Sequence, residues 1–179
     1  MGGKVAALSD QSDGIIWSSN NTGVYDGGVS IWGIDQTSTV ATPSPTSTQY
    51  AGQFNCNGST DGSCNTNNIF VYYSIIAPPT VSDSDYASGL CKGTIGGYSN
   101  WYLPSICEMG SPFFCSLGIQ NMQVNLANSS IGFLLGPHWS STEWSTNPQS
   151  DAYSWDFNFG LDASLKSMFL KIRCTRSLT

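Results

Sequence analysis

Hydrophobic and polar positions alternate most regularly in the last third of the chain. Over 152–159 aromatic residues fall at Tyr153, Trp155, Phe157 and Phe159, while Ala152, Ser154, Asp156 and Asn158 take the other face. Successive strand side chains point to opposite faces, so this reads as a half-buried antiparallel strand. After a turn at Gly160, Met168, Leu170, Ile172 and Cys174 alternate with Phe169, Lys171, Arg173 and Thr175. That predicts a further strand with Cys174 on its apolar face. Near the start, Lys4–Leu8 and Gly14–Trp17 read as short strands around a turn at Ser9–Gly14. Ile69–Ile76 is an apolar run closed by Pro78-Pro79, and its periodicity leaves a strand and a buried helix both open. Ser82–Cys91 reads as a helix, with Ser82 or Ser84 as N-cap, Asp83 and Asp85 in the first turn and Gly93 past its end. Ser105 and Glu108 have capping-box spacing and predict the start of a second helix. Asp35–Asn68, rich in Ser, Thr and Pro, reads as a long inserted loop. The pattern is α+β: one domain over 1–179 with short strands, two helices and an insertion at 35–68.

Composition narrows the class. Only 10% of the 179 residues are charged; polarity comes from 28 Ser, 14 Thr and 13 Asn. With 40% hydrophobic residues the chain can build a core, which excludes wholesale disorder. A net charge of −6 argues against a nucleic-acid binder, and no apolar run reaches the length that spans a bilayer. Met1-Gly2-Gly3-Lys4 has no apolar signal-peptide region behind it, as in a processed chain or an excised domain.

The cysteines are Cys56, Cys64, Cys91, Cys107, Cys115 and Cys174. None has zinc-ribbon spacing, and His138 is the single histidine, so a Cys/His zinc site has little support. An even count in a Ser/Thr/Asn/Gly-rich, Lys-poor chain reads as secreted and disulfide-bonded. Cys56 and Cys64 bracket an Asn/Gly-rich segment, read as a hairpin, and Cys107 and Cys115 flank a short turn. Both are candidate local bridges, which leaves Cys91 with Cys174. Six cysteines permit fifteen pairings, so the connectivity stays open at this point.

A longer pattern runs through the chain. It comprises Gly2-Gly3-Lys4-Val5, Asp10-Gln-Ser-Asp-Gly14-Ile-Ile-Trp17, Gly62-x-x-Asn65-Thr66-x-x-Ile69 and Tyr86-Ala-Ser-Gly-Leu-Cys91. It continues with Gly96-Gly-Tyr-Ser-Asn-Trp101-Tyr-Leu-Pro104-Ser, Trp139-Ser-Ser-Thr-Glu143-Trp144, Ala152-Tyr-Ser-Trp155-Asp-Phe157 and Lys171-Ile-Arg173-Cys174-x-Arg176. In order and spacing this resembles the C-terminal domain family of the Legionella collagen-like protein and its bacterial surface relatives. The resemblance implies a C-type-lectin-like fold, with two helices, a small loop-rich antiparallel sheet, and a first-helix cysteine bridged to the last strand. It further implies a surface adhesin domain that forms homotrimers and binds sulfated glycosaminoglycans such as chondroitin sulfate or heparin-like chains. The chain departs from the full-length relatives in having no Gly-X-Y repeat, and its 35–68 loop is longer than the family needs.

Charge adds a candidate site. Lys166, Lys171, Arg173 and Arg176 lie in the last 14 residues, which hold no acid, so this tail is +4 on a body of −10. Lys171 and Arg173 share a strand face, about 7 Å apart by strand rise. A polyanion bound there would release condensed counterions, by analogy with nucleic acids, and arginine can grip a sulfate with two donors. The plainer expectation is a solvated strand face paired with acids such as Asp156 or Asp162. Lys4 and Lys92 read as ordinary surface residues. The rival function is a trimerisation or cell-aggregation module of a collagen-like surface protein without a glycan site.

The remaining chemistry is thin. Asp83 with Asp85, and Asp10 with Asp13, are the closest acid pairs, but no calcium-loop spacing occurs. No metal or cofactor is expected beyond a weak divalent-cation effect on association. His138, in Gly136-Pro137-His138-Trp139, reads as a turn residue packed beside Trp139, and no Gly-x-Ser-x-Gly elbow accompanies it. Asp151 or Glu143 with Asp156 would be a glycosidase pair only if 5–10 Å apart. Trp17, Trp32, Trp139, Trp144 and Trp155 can stack on sugars, though Trp139 and Trp155 fall in patterned strands and read as core. The expectation is a non-enzymatic protein, secreted or on the bacterial cell surface. Asn20, Asn57 and Asn128 head sequons.

Overall fold

The computed structural model describes residues 3–43, 47–75, 81–116, 121–126, 130, 132 and 134–178. In order these form β1 (Lys4–Ala6), β2 (Ser12–Ile15), α1 (Gly62–Ile75), a 3-10 helix (Ser88–Cys91), α2 (Ile106–Met109) and α3 (Met122–Leu126). Then follow β3 (Pro137–Glu143), β4 (Asp151–Asp156), β5 (Gly160–Leu165), β6 (Leu170–Ile172) and β7 (Thr175–Ser177). The fold is α+β. One sheet has the order β2-β6-β3-β4-β5, antiparallel except where β3 meets β6. A separate antiparallel ribbon pairs β1 with β7. Ile76, Pro78 and Pro79 of the apolar run, and the sequon at Asn128, lie outside the described residues.

The apolar run from Ile69 is helical, and its helix begins seven residues earlier, at Gly62. The Asp61 carboxylate accepts the Cys64 N–H at 3.0 Å, one of the donors a helix start leaves open. The face that α1 buries is largely polar. Asn68 donates to the Trp32 and Phe54 carbonyls and accepts the Phe54 N–H, while Thr66 exchanges hydrogen bonds with the Leu103 backbone. Residues that look like loop in isolation thus serve as buried backbone partners. Gly62 tolerates no side chain, because a Cβ there would collide with Glu108 and the Ser105 backbone.

The three disulfides are Cys56–Cys64, Cys91–Cys174 and Cys107–Cys115. Two local readings need correction. Cys64 sits in the first turn of α1, so the first bridge ties the incoming loop to a helix and not across a hairpin. The helix expected over 82–91 narrows to a 3-10 turn at Ser88–Cys91, preceded by turns. Gly89 packs so closely on this turn that a Cβ there would collide with the Asp83 carbonyl oxygen. The Ser105–Glu108 capping box does form and starts α2.

The strand expected over 152–159 ends at Asp156, and this strand, β4, is buried on both faces, not one. Ala152 belongs to a core with Trp17, Ile34, Ile69, Leu103 and Trp139. Tyr153, Trp155 and Phe157 join a second core with Ile106, Met109 and Leu134. Phe159 lies past the end of β4 and is 91% exposed. The two fully buried indoles, Trp17 and Trp139, donate to the Ser140 and Ile15 carbonyls, which removes the penalty of an unpaired N–H.

Candidate functional site

The four tail cations do not form one surface. Lys166 follows β5 and is fully buried. Its ammonium donates to the Val29 carbonyl at 2.6 Å, the Glu143 carboxylate at 2.6 Å and the Pro148 carbonyl at 2.7 Å, and lies 4.2 Å from the centre of the Trp17 ring. Three donors meet three acceptors, so the charge is enclosed. Burial pushes the Glu143 carboxyl up to about 7, opposed by the Lys166 charge and the Ile31 N–H.

Arg173 is likewise buried. Its Nε donates to Asp10 at 2.7 Å and its Nη1 to the Ala7 and Gly132 carbonyls at 3.0 Å. Asp10 also meets His138 Nε2 at 3.0 Å and lies 3.9 Å from the Lys171 ammonium. Burial alone would raise the Asp10 carboxyl; the hydrogen bonds and charges of His138 and Arg173 outweigh it and hold it below 3.8. The partners of these cations are therefore Glu143 and Asp10, not Asp156 or Asp162. They come from segments more than 100 residues away (Asp10) or from a buried strand (Glu143), which strand spacing does not reveal.

Two tail cations remain accessible. Lys171 of β6, opposite His138 in the sheet, keeps about a third of its side chain exposed. Arg176 of β7 is the one cation without a carboxylate partner among the described residues. Its guanidinium lies 4.0 Å from the Tyr98 ring centre and 5.7 Å from that of Trp101. Tyr98 is held by a tight turn in which Ile95 and Tyr98 exchange backbone hydrogen bonds across Gly96-Gly97, both at positive φ. The Trp101 indole N–H pins that turn by donating to the Ile95 and Tyr98 carbonyls. A flat guanidinium on an aromatic face keeps its edge donors available for an oxyanion. Sequence reasoning passed over Tyr98; its signal was the Gly-Gly dipeptide between Ile95 and Tyr98, which marks a two-residue turn.

The other candidates separate. Lys4 and Lys92 are exposed surface residues, as expected, and each has an acid partner, Glu108 and Asp83. His138 is a buried strand residue whose ring meets Phe157 edge-on at 5.2 Å, and Nδ1 faces the Gly136 carbonyl. Trp155 is buried with Trp17 and Trp139, whereas Trp32 and Trp144 are half-buried. Asp151 and Asp156 stand at the two ends of β4, about 16 Å apart by strand rise, and Glu143 is wholly buried. Asp83 meets Tyr86 and Lys92, and no cluster of three or more metal-ligating side chains occurs among the described residues. No helix among these residues is long and apolar enough to cross a membrane. Comparison with family models and with curated proteins finds no match to the chain.

Proposed function

We propose that the chain is an extracellular, C-type-lectin-like adhesin domain of a bacterial surface protein. It meets sulfated glycosaminoglycans through Arg176 on Tyr98, with Lys171 as a second contact, and gains strength from a homotrimer. The observation that carries this reading is the Arg176 guanidinium, without a carboxylate partner among the described residues, stacked on an exposed tyrosine. Three disulfides support an oxidising location, and the Cys91–Cys174 pairing is the one the resemblance implies. Cys91, however, ends a 3-10 turn and not the first helix, and Cys174 lies between β6 and β7 and not within the last strand. Each copy offers one or two cations on a body of net charge −6, so single contacts are weak and avidity has to supply the rest. The test is binding to heparin and chondroitin sulfate across a salt series. One or two contacts per copy give a log–log salt slope of about −1 to −2 for a single engaged copy and about −3 to −5 for a trimer, against about −4 and −11 for a four-cation ribbon. Arg176→Ala should lower affinity and flatten the slope; unchanged binding, or none by the assembled protein, rejects the site.

A second reading rests on the exposed Phe113, Phe159 and Phe169, at 93%, 91% and 71%. Side chains of this size left in water favour association, which suits a trimerisation or cell-aggregation module with no glycan site. Light scattering that shows a trimer, together with failure of the polyanion to bind, selects it.

A further inference from the structure

The β1–β7 ribbon has one edge that is closed and one that is open. Leu178 N–H donates to the Gly3 carbonyl at 2.7 Å and Ala7 N–H to the Cys174 carbonyl at 2.9 Å, with Val5 opposite Arg176 between them. Antiparallel pairs alternate between bonded and non-bonded, so Gly3, Val5 and Ala7 face β7. The backbone groups of Lys4 and Ala6 point away from it. The same alternation turns the Thr175 backbone to the far side of β7, where it exchanges hydrogen bonds with Tyr102 at 2.8 and 2.9 Å. Lys4 and Ala6 have no such neighbour: their backbone N–H and C=O groups meet no partner among the described residues.

Over the face of the ribbon that carries the Lys4 and Ala6 side chains lies a cleft of about 710 Å³ towards α3, lined by Lys4 and Ala6 of β1, Thr175 and Ser177 of β7, and Met122 and Leu126; a chain added to the β1 edge would extend this face. Its charge is one-sided. The Glu108 carboxylate already accepts from Lys4, the Tyr102 hydroxyl, the Gly62 and Ser105 N–H groups and the Ser105 hydroxyl. The Lys4–Glu108 pair is neutral overall, but its ammonium end is half exposed while the carboxylate is buried, so the end that a ligand meets is the cationic one. Ala6 packs with Met122, Leu126 and their neighbours, which makes that end apolar.

We propose that the open β1 edge and this cleft form a strand-addition site for an extended peptide with an acidic side chain and, two residues away, an apolar one. The unpaired groups of Lys4 and Ala6 repeat every two residues, about 6.6 Å, as an extended chain does. Backbone pairing supplies affinity and the flanking cleft reads alternate side chains. The acid meets Lys4, and the apolar residue packs against Met122 and Leu126. The site lies on the ribbon face opposite Arg176, so it is independent of the glycan reading.

The experiment titrates the isotope-labelled full chain with a blocked heptapeptide in which threonine alternates with leucine, aspartate and leucine, a pattern that serves either strand direction. Saturable shifts of the Lys4 and Ala6 amides are expected, with at least a tenfold loss when the peptide backbone is N-methylated on its pairing edge. Replacing its aspartate by lysine should weaken binding severalfold. Ala6→Pro removes an outward N–H while keeping the ladder to β7, and should abolish binding with the melting temperature retained. If that variant misfolds, Met122→Trp, which fills the cleft, takes its place with the same expectation. No shifts up to millimolar peptide, shifts away from β1, or equal binding of the N-methylated peptide would overturn the proposal.

Discussion

Lys166 and Arg173 point inward and Lys171 and Arg176 outward, although all four lie within eleven residues of one another. The inward pair works as internal hydrogen-bond hubs. Lys166 joins the loop at Val29, the loop at Pro148 and strand β3 through Glu143; Arg173 joins the turn at Ala7–Asp10 to Gly132. The outward pair stands on strand positions where no acid comes nearer than the 3.9 Å between Lys171 and Asp10. Clustering along the chain is therefore a poor guide to a binding patch in a protein with few charges. When cations are this scarce, the fold's own buried carboxylates and carbonyls compete with any ligand for them.

Three measurements sharpen this contrast. The largest effect belongs to Lys166→Ala, which leaves Glu143 buried without its counter-charge. Removing one partner of a buried pair costs about 3–5 kcal/mol, so the melting temperature should fall by about 10 °C. A drop of only a degree or two would mean that the enclosure contributes little. Asp10→Asn comes next, with a loss of about 2 kcal/mol at neutral pH from weakened charged hydrogen bonds. A carboxyl held below 3.8 in the folded state stabilises fully above that value and loses its contribution as pH falls through the folded pKa. The gap in urea midpoint between wild type and Asp10→Asn should therefore narrow as pH falls below 3.8; a constant gap would contradict the charge account. The smallest stability effect should be that of Arg176→Ala, under about 1 kcal/mol, because an exposed cation–π contact is worth no more. Its consequence should appear in polyanion binding alone, and a large loss of stability would move Arg176 into the inward class.

Much of the architecture was legible in local chemistry. Ser105 and Glu108 announced α2 because a capping box is complete within four residues. The alternation over 152–156 announced β4 because the pleat enforces it. The three bridges agreed with the simplest grouping of cysteines, two local pairs and one remainder. The 62–68 segment was opaque for the opposite reason: Asn65, Thr66 and Asn68 become helical only where Gly58, Leu103, Trp32 and Phe54 offer backbone partners.

The sequence by itself thus determined the α+β class, the capped turn at Ser105, the strand pattern around Trp155 and a disulfide-rich chemistry. All of these follow from residues that act on their near neighbours. Only the tertiary structure decided which cations reach water, that β4 is covered on both faces, and that β1 keeps an open edge. Those outcomes depend on meetings such as Asp10 with Arg173 or Lys166 with Val29, far apart in the chain. Burial and charge compensation at such meetings are properties of the packed whole, and no window along the chain contains them.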